Sequence, residues 1–172
     1  MIKKIAKWAC PIAAVIAIVI TNYSDDLHTS KAGLELIGNA EGCYQKPYQC
    51  PSDVLTVGIG TTSSVEKITP NKVYSLEEIA RLWAKGIAQA EQCVNRYANG
   101  ANMPQGAFDA LTSITFNIGC TKLQHSTLFN MARQGYSPAM CAQFPRWVYA
   151  GGKVLNGLVI RRAKEKALCL MS

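Results

Sequence analysis

The stretch from Glu41 to Thr61 constrains the fold of this chain more than any other. Pro47, Pro51, Gly58 and Gly60 punctuate it around Val54-Leu55-Thr56-Val57. Prolines and glycines at such intervals stop helices, and β-branched residues between them suit short strands, so residues 44–62 are expected as a hairpin or small sheet. Both flanks are helical. Before the hairpin, Leu34, Leu36 and Ile37 recur at helical spacing in Lys31 to Ala40, and Gly42 follows. After it, Ser75 and Glu78 form an S-x-x-E capping box. From there Leu76, Ile79, Leu82, Trp83, Ile87, Ala90, Val94 and Tyr97 recur every three or four residues, and Gly100 is the expected stop. A small sheet between the first two helices of a mostly helical chain means α+β.

Pro104 opens a further helix, with Phe108, Leu111, Thr115 and Ile118 on one side and Gly119 at its end. Shorter helices are expected at 124–134 and 137–144, and Val154 to Leu170 ends in a basic helix carrying Arg161, Arg162, Lys164 and Lys166. There is no internal repeat and no low-complexity tract. A length of 172 residues suits one compact domain with a short appendage.

The net charge of +7 favours an anionic partner, such as a membrane surface or an acidic polymer of the bacterial wall. No basic run is interleaved with aromatic residues, and no nucleic-acid motif is present, which argues against a nucleic-acid partner. Seven cysteines point to an oxidising compartment, and their odd number leaves at least one outside any full set of pairs. With no C-x-x-C pair and only His28 and His125, the chain lacks the ligand spacing of a zinc site, and neither a metal nor a cofactor is expected.

The N-terminus looks like an export signal. Lys3, Lys4 and Lys7 precede an uncharged stretch whose strongly apolar part, Trp8 to Ile20, has 13 residues. As a helix this part is ~20 Å long, short of the ~30 Å hydrocarbon core of a bilayer. No A-x-A-like cleavage site follows, and the segment holds Cys10. It is compatible with three fates: a cleaved signal peptide, a permanent anchor, or an uncleaved anchor able to leave the bilayer. A permanent anchor is disfavoured by the short span and by Pro11. Ala9, Ala13, Ala14 and Ala17 add little transfer energy, so the releasable anchor fits best. The polar residues of 21–30 lead to the expected organisation: anchor 1–24, linker 25–30, domain 31–172.

The chemistry begins at Glu41. A carboxylic acid after an apolar helix face, opposite a group that activates water, is the minimal kit for cutting a glycosidic bond. A Glu at a helix end is also an ordinary surface residue. The full array separates these options: Glu41, eight residues, Cys50, five residues, Thr56, then Val57-Gly58-Ile59-Gly60. It resembles the phage-type lysozymes, glycoside hydrolase family 24, whose pattern is Glu, eight residues, Asp, five residues, Thr, then a G-x-G turn. The likeness continues through Phe108 to Gly119, and through Trp147, Gly151-Gly152-Lys153 and the block Gly157-Leu158-Val159-Ile160-Arg161-Arg162-Ala163-Lys164-Glu165.

The resemblance implies a lysozyme-like α+β muramidase with a small sheet-bearing lobe, cutting peptidoglycan between N-acetylmuramic acid and N-acetylglucosamine. It implies Glu41 as the acid that protonates the leaving oxygen and Thr56 as the residue that orients water. Cys50 falls where most members have Asp. A thiolate of lowered pKa serves as base or nucleophile, yet it is a poor copy of a carboxylate.

Regulation explains that cysteine better. The layout of a short anchor with Cys10, then Glu41-x-Cys43, then Cys50 resembles the redox-switched signal-arrest-release endolysins of phages. The expectation is a resting Cys43–Cys50 disulfide while Cys10 is in the inner membrane, then attack of Cys10 on Cys43 after release, freeing Cys50. The partners implied are the host export machinery, the inner membrane and peptidoglycan, with the enzyme a monomer first tethered and then free in the periplasm. A Cys43–Cys50 bond serving only as a structural staple is the plain alternative. For Cys93, Cys120, Cys141 and Cys169, three connectivities exist; the resemblance favours Cys93 with Cys169 and Cys120 with Cys141. Two rival functions stand beside the muramidase: a peptidase pairing Cys50 with His125 or His28, and a tethered wall-binding protein without catalysis.

Overall fold

The computed structural model describes residues 8–50 and 53–172. The three N-terminal lysines and the Pro51-Ser52 step lie outside the described residues. Eight helices of at least one turn are described: α1 Ile12–Tyr23, α2 Lys31–Glu41, α3 Leu76–Tyr97, α4 Gln105–Ile118, α5 Cys120–Leu123, α6 Thr127–Gln134, α7 Pro138–Cys141 and α8 Asn156–Leu170. Strands β1 Tyr44–Gln49, β2 Leu55–Gly58 and β3 Thr61–Thr62 form an antiparallel sheet, and β4 Tyr149–Ala150 pairs with β5 Lys153–Val154 in a separate hairpin. The sheet thus follows α2 and precedes α3, where the hairpin pattern put it.

Two apolar clusters divide the molecule. One holds Val15, Ile37, Val57, Ile59, Ile79 and Trp83; the other holds Leu111, Ile114, Leu128, Phe129, Met140 and Phe144. Helix α3 runs through both, giving Ile79 to Ile87 to the first and Cys93 and Val94 to the second. Its start is fixed by the expected capping box: Ser75 Oγ accepts from Glu78 N at 3.1 Å while Glu78 Oε2 accepts from Ser75 N at 2.9 Å. Helix α4 likewise runs from Pro104 to the positive-φ Gly119.

The N-terminal apolar segment departs from a simple appendage. Pro11 stands at the N-cap of α1, so it starts the helix where the sequence suggested a break. Val15, Ile16 and Val19 are buried against the first cluster, each burial worth about 2 kcal/mol. Close packing on α2 depends on Gly38, where a Cβ would stand 2.9 Å from Ile12 Cγ2. Among the described residues no helix is long and apolar enough to cross a membrane.

The residues joining α1 to α2 are held from below. Glu91 on α3, buried to 4 % exposure, accepts from His28 N at 3.0 Å, Thr29 N at 2.7 Å and Thr29 Oγ1 at 2.6 Å. Asp109 on α4, also buried, accepts from Ser30 N at 3.0 Å and from Gln105 Nε2 at 2.8 Å.

Three disulfides are present. Cys10 pairs with Cys43 (Cα–Cα 5.1 Å), Cys93 with Cys120 (5.9 Å) and Cys141 with Cys169 (5.7 Å). The last two correct the expected Cys93–Cys169 and Cys120–Cys141 pairs. Gly119 turns the chain at the end of α4, so Cys120 meets the last turns of α3, which packs against α4. The end of α8 packs against α7, which brings Cys169 to Cys141. Of the two bonds expected for Cys43, the structure has the one to Cys10 and not the resting one to Cys50, which stands outside the three disulfides.

Candidate active site

Glu41 is the last residue of α2 because Gly42 follows at φ +72°. Its side chain therefore leaves the helix end and reaches the gap between the sheet and α8. One oxygen, Oε1, accepts from Arg161 Nη1. The other, Oε2, faces the turn between β2 and β3, where a Cβ added to Gly60 would stand 3.1 Å away. Gly60 has φ +67°, so the turn and the close approach both call for glycine there.

Thr56 lies on β2, opposite Tyr48 of β1. It is 3 % exposed, and its hydroxyl donates to Val54 O at 3.0 Å. With the proton committed, the Oγ1 lone pairs remain as acceptors. Cys50 follows β1; its N–H donates to Val54 O at 3.1 Å and its carbonyl accepts from Asp53 N at 2.8 Å. Tyr48 joins the three. Its ring meets Tyr44 edge-on at 5.0 Å, and its phenol is pushed up to about 12 by burial and then by the negative charge of Glu41, Tyr44 and Cys50. It therefore stays a hydrogen-bond donor at any physiological pH. The sequence did not single out Tyr48, although its place four residues after Tyr44 in a short strand is where a wall residue would sit.

Behind Glu41 lies a polar network that sequence reasoning also missed. Arg161 is 5 % exposed. Besides Glu41 it donates through Nε to Glu165 Oε1 at 3.2 Å and through Nη2 to Ser113 O at 3.2 Å. Glu165, fully buried, also accepts from Ser113 Oγ at 2.6 Å, and Arg162 Nε lies 3.2 Å from its Oε2. Arg162 Nη2 donates to Asn117 Oδ1 at 2.5 Å. Burial pushes the Glu165 carboxyl up, while both guanidiniums and Ser113 pull it back. Burial pulls Arg162 down to about 10, against the attraction of Glu165. The i, i+3 and i, i+4 spacing of Arg162 and Arg161 to Glu165 was the available signal.

Two cavities border this region, and Glu41 lines the first of them. One of about 760 Å³ runs between α2 and α8 and is lined by Glu41, Asn117, Leu158 and Arg161. The other, about 400 Å³, lies between the β-lobe and α4 and is lined by Gly60, Thr62, Gln89, Phe116 and Thr121. Neither histidine lines either cavity. The ring of His28 packs edge-on to Phe108 at 6.3 Å, and His125 borders a separate recess with Lys122 and Trp147. Among the described residues no group of three His, Cys, Asp or Glu side chains could hold a metal ion.

Residues 38–165 match the phage lysozyme family. The chain is 42% identical to the SAR-endolysin of Escherichia phage P1, over 94% of this chain and 90% of that one. It superposes on the crystal structure of the active form of P1 phage endolysin Lyz with a TM-score of 0.88, at 41% identity, covering 95% of this chain and 96% of that chain. Against the secreted inactive form of the same endolysin the TM-score is 0.60, at 39% identity, covering 83% and 96%.

Proposed function

The chain belongs to the phage lysozyme family, and on that premise we propose that it is an endolysin that hydrolyses the β-1,4 bond between N-acetylmuramic acid and N-acetylglucosamine in peptidoglycan. The observation that carries this reading is Glu41 at a helix end, with one carboxyl oxygen turned to the Gly60 turn beside the strand that bears Thr56. The sugar chain would lie along the recess between the β-lobe and α4. Glu41 protonates the leaving glycosidic oxygen. A water donates to the Thr56 hydroxyl, which points a lone pair at the anomeric carbon from the opposite face. Cys50, in the family's Asp position, assists that water. No cofactor is required by this chemistry.

The protein would be exported with residues 1–24 as an uncleaved anchor in the host inner membrane, the domain facing the periplasm. The resting form carries Cys43–Cys50. After release, the Cys10 thiolate attacks Cys43 sulfur; the Cys43–Cys50 bond breaks, Cys10–Cys43 forms, and Cys50 leaves as a thiolate, with no net change of oxidation state. The Cys10–Cys43 bond and the docked α1 support reading the described conformation as the released state. The closer likeness to the active form of the P1 endolysin points the same way.

The test is release of reducing ends from purified peptidoglycan, and lysis of chloroform-treated Gram-negative cells, by wild type and Glu41→Gln with and without dithiothreitol. Loss of about 10²-fold or more in Glu41→Gln is expected for a general acid. Retained hydrolysis in that variant would sink the muramidase. Wall binding without reducing ends in the wild type would favour a binding protein.

A further inference from the structure

The last helix carries its charges inward and its apolar side chains outward. Arg161, Arg162 and Glu165 of α8 are buried. The exposed positions from Val159 to the helix end are Val159, Ile160, Ala163, Lys164, Ala167 and Leu170, and only Lys164 among them is charged. A helix on a protein surface ordinarily shows the reverse arrangement. The hairpin that leads into α8 continues the pattern. Tyr149 and Val154 are cross-strand partners, so their side chains share one face, and both are exposed. Of the ten large apolar side chains exposed among the described residues, seven lie from Tyr149 to Met171. Such a concentration marks a contact surface, where scattered single residues would not. Ile160 and Met171 also line the cavity against α2, so the apolar surface runs on into a recess.

The charge around this surface has one sign. From Ala110 to Ser172 there are eight lysines and arginines, and the only acidic side chain is the buried Glu165. At ~100° per residue, Lys164 and Lys166 fall on opposite sides of the line through Val159, Ala163, Ala167 and Leu170. Glu35, across the cavity on α2, stands 3.7 Å from Lys31. We propose that the outer face of α8, with the β4–β5 hairpin before it, is a docking surface for an anionic lipid bilayer. Val159, Ile160 and Leu170 enter the interface while the lysines meet the headgroups. An apolar stripe between lysines is what an interfacial helix presents to such a membrane. A second copy of the chain fits less well, because a two-fold contact would set the same lysines against each other. An acidic sugar polymer would match the lysines and leave the apolar residues in water. The proposal goes beyond the muramidase reading and makes no use of Glu41, so it stands or falls separately.

The experiment uses the full oxidised chain, with Cys10–Cys43 closed so that α1 stays docked. It is sedimented with vesicles of phosphatidylglycerol and phosphatidylcholine in equal parts, and with phosphatidylcholine alone. Wild type is expected to pellet with the anionic vesicles and to be released as salt rises. The double variant Val159→Ser, Ile160→Ser should partition about tenfold more weakly. The double variant Lys164→Gln, Lys166→Gln should lose about tenfold on the anionic vesicles. Near-UV circular dichroism checks folding. The N-terminal segment is itself apolar and basic, so a second readout locates the contact. Quenching by brominated lipid is compared in Ile160→Trp and in Val73→Trp, an exposed position outside this face, each against wild type. Quenching is expected in Ile160→Trp alone. Equal pelleting of wild type and both double variants, no pelleting of wild type with anionic vesicles, or quenching in Val73→Trp that matches Ile160→Trp overturns the proposal. So does pelleting with purified peptidoglycan but not with vesicles, which points to the wall, and so does a dimer abolished by Val159→Ser, Ile160→Ser, which points to a second copy. If that double variant does not fold, the lysine variant and the Ile160→Trp quenching decide.

Discussion

Cys10 and Cys43 are joined twice, by the disulfide and by a hydrogen bond from Cys10 N to Cys43 O at 3.0 Å. The neighbouring residues Ala9 and Tyr44 also pair as an antiparallel bridge. The segment before α1 is thus aligned on the start of β1 by backbone as well as by sulfur. Backbone pairing of this kind presents the two cysteines to each other.

Exchanging either cysteine separates the two roles of this bond. Cys43→Ser cannot form Cys43–Cys50, so its lysis is expected to be independent of dithiothreitol. It also loses a tether across 33 positions, worth about 4 kcal/mol on a chain-entropy model, so its Tm falls. Cys10→Ser retains the Cys43–Cys50 option without the exchange partner, and its lysis should rise only on reduction. Equal activity of wild type, Cys10→Ser and Cys43→Ser with and without reductant would remove the switch and leave the muramidase in place.

Glu91 accepts from two backbone N–H groups and one hydroxyl in the α1–α2 connection. Glu91→Ala leaves those donors without their acceptor, at a cost of about 3 kcal/mol. Amide exchange should quicken at His28 and Thr29 in particular. A variant with wild-type Tm and wild-type exchange at these two amides would show that the carboxylate does not hold the connection.

Gly60→Ala meets both a positive φ and the Glu41 carboxylate. A stability loss of about 1 kcal/mol is expected from the backbone alone. Displacement of Glu41 should lower kcat further than Tm would suggest. Calorimetry beside steady-state kinetics distinguishes the two, and an active Gly60→Ala enzyme would mean that the turn does not bear on the acid.

Tyr48 is raised to about 12, above an unfolded value near 10. A group whose folded pKa is raised contributes its stability below the unfolded pKa and loses it as pH climbs through the folded one. The protein should therefore lose stability between about pH 10 and 12, with a late-titrating tyrosine in the ultraviolet. Tyr48→Phe should remove that late phase and flatten the alkaline decline. An unchanged titration in the variant would assign the phase to another tyrosine.

Much of the helical body was legible because local signals there agree with the tertiary outcome. The Ser75–Glu78 box sets the start of α3, and Pro104 and Gly119 bracket α4. Other features depended on contacts between distant parts of the chain. The apolar periodicity of Trp8 to Ile20 is the same whether its partner is lipid or the Ile37–Trp83 cluster, so the docking of α1 had no local signature. The cysteine pairs follow from how helix ends meet, which spacing alone does not encode. Arg161 and Glu165 sat within a recognisable block, yet a basic helix with scattered acids usually faces solvent. Only the approach of α4, with Ser113 beside them, marks these side chains as interior.

The packing of α1 has a practical corollary for anyone preparing this protein. Trimming the chain at Lys31 to make a simpler soluble enzyme would strip away Val15, Ile16 and Val19 and expose the apolar surface they cover. Such a product would be prone to aggregate for want of a lid on its own interior, and a usable short form would need polar replacements on the uncovered faces of α2 and α3.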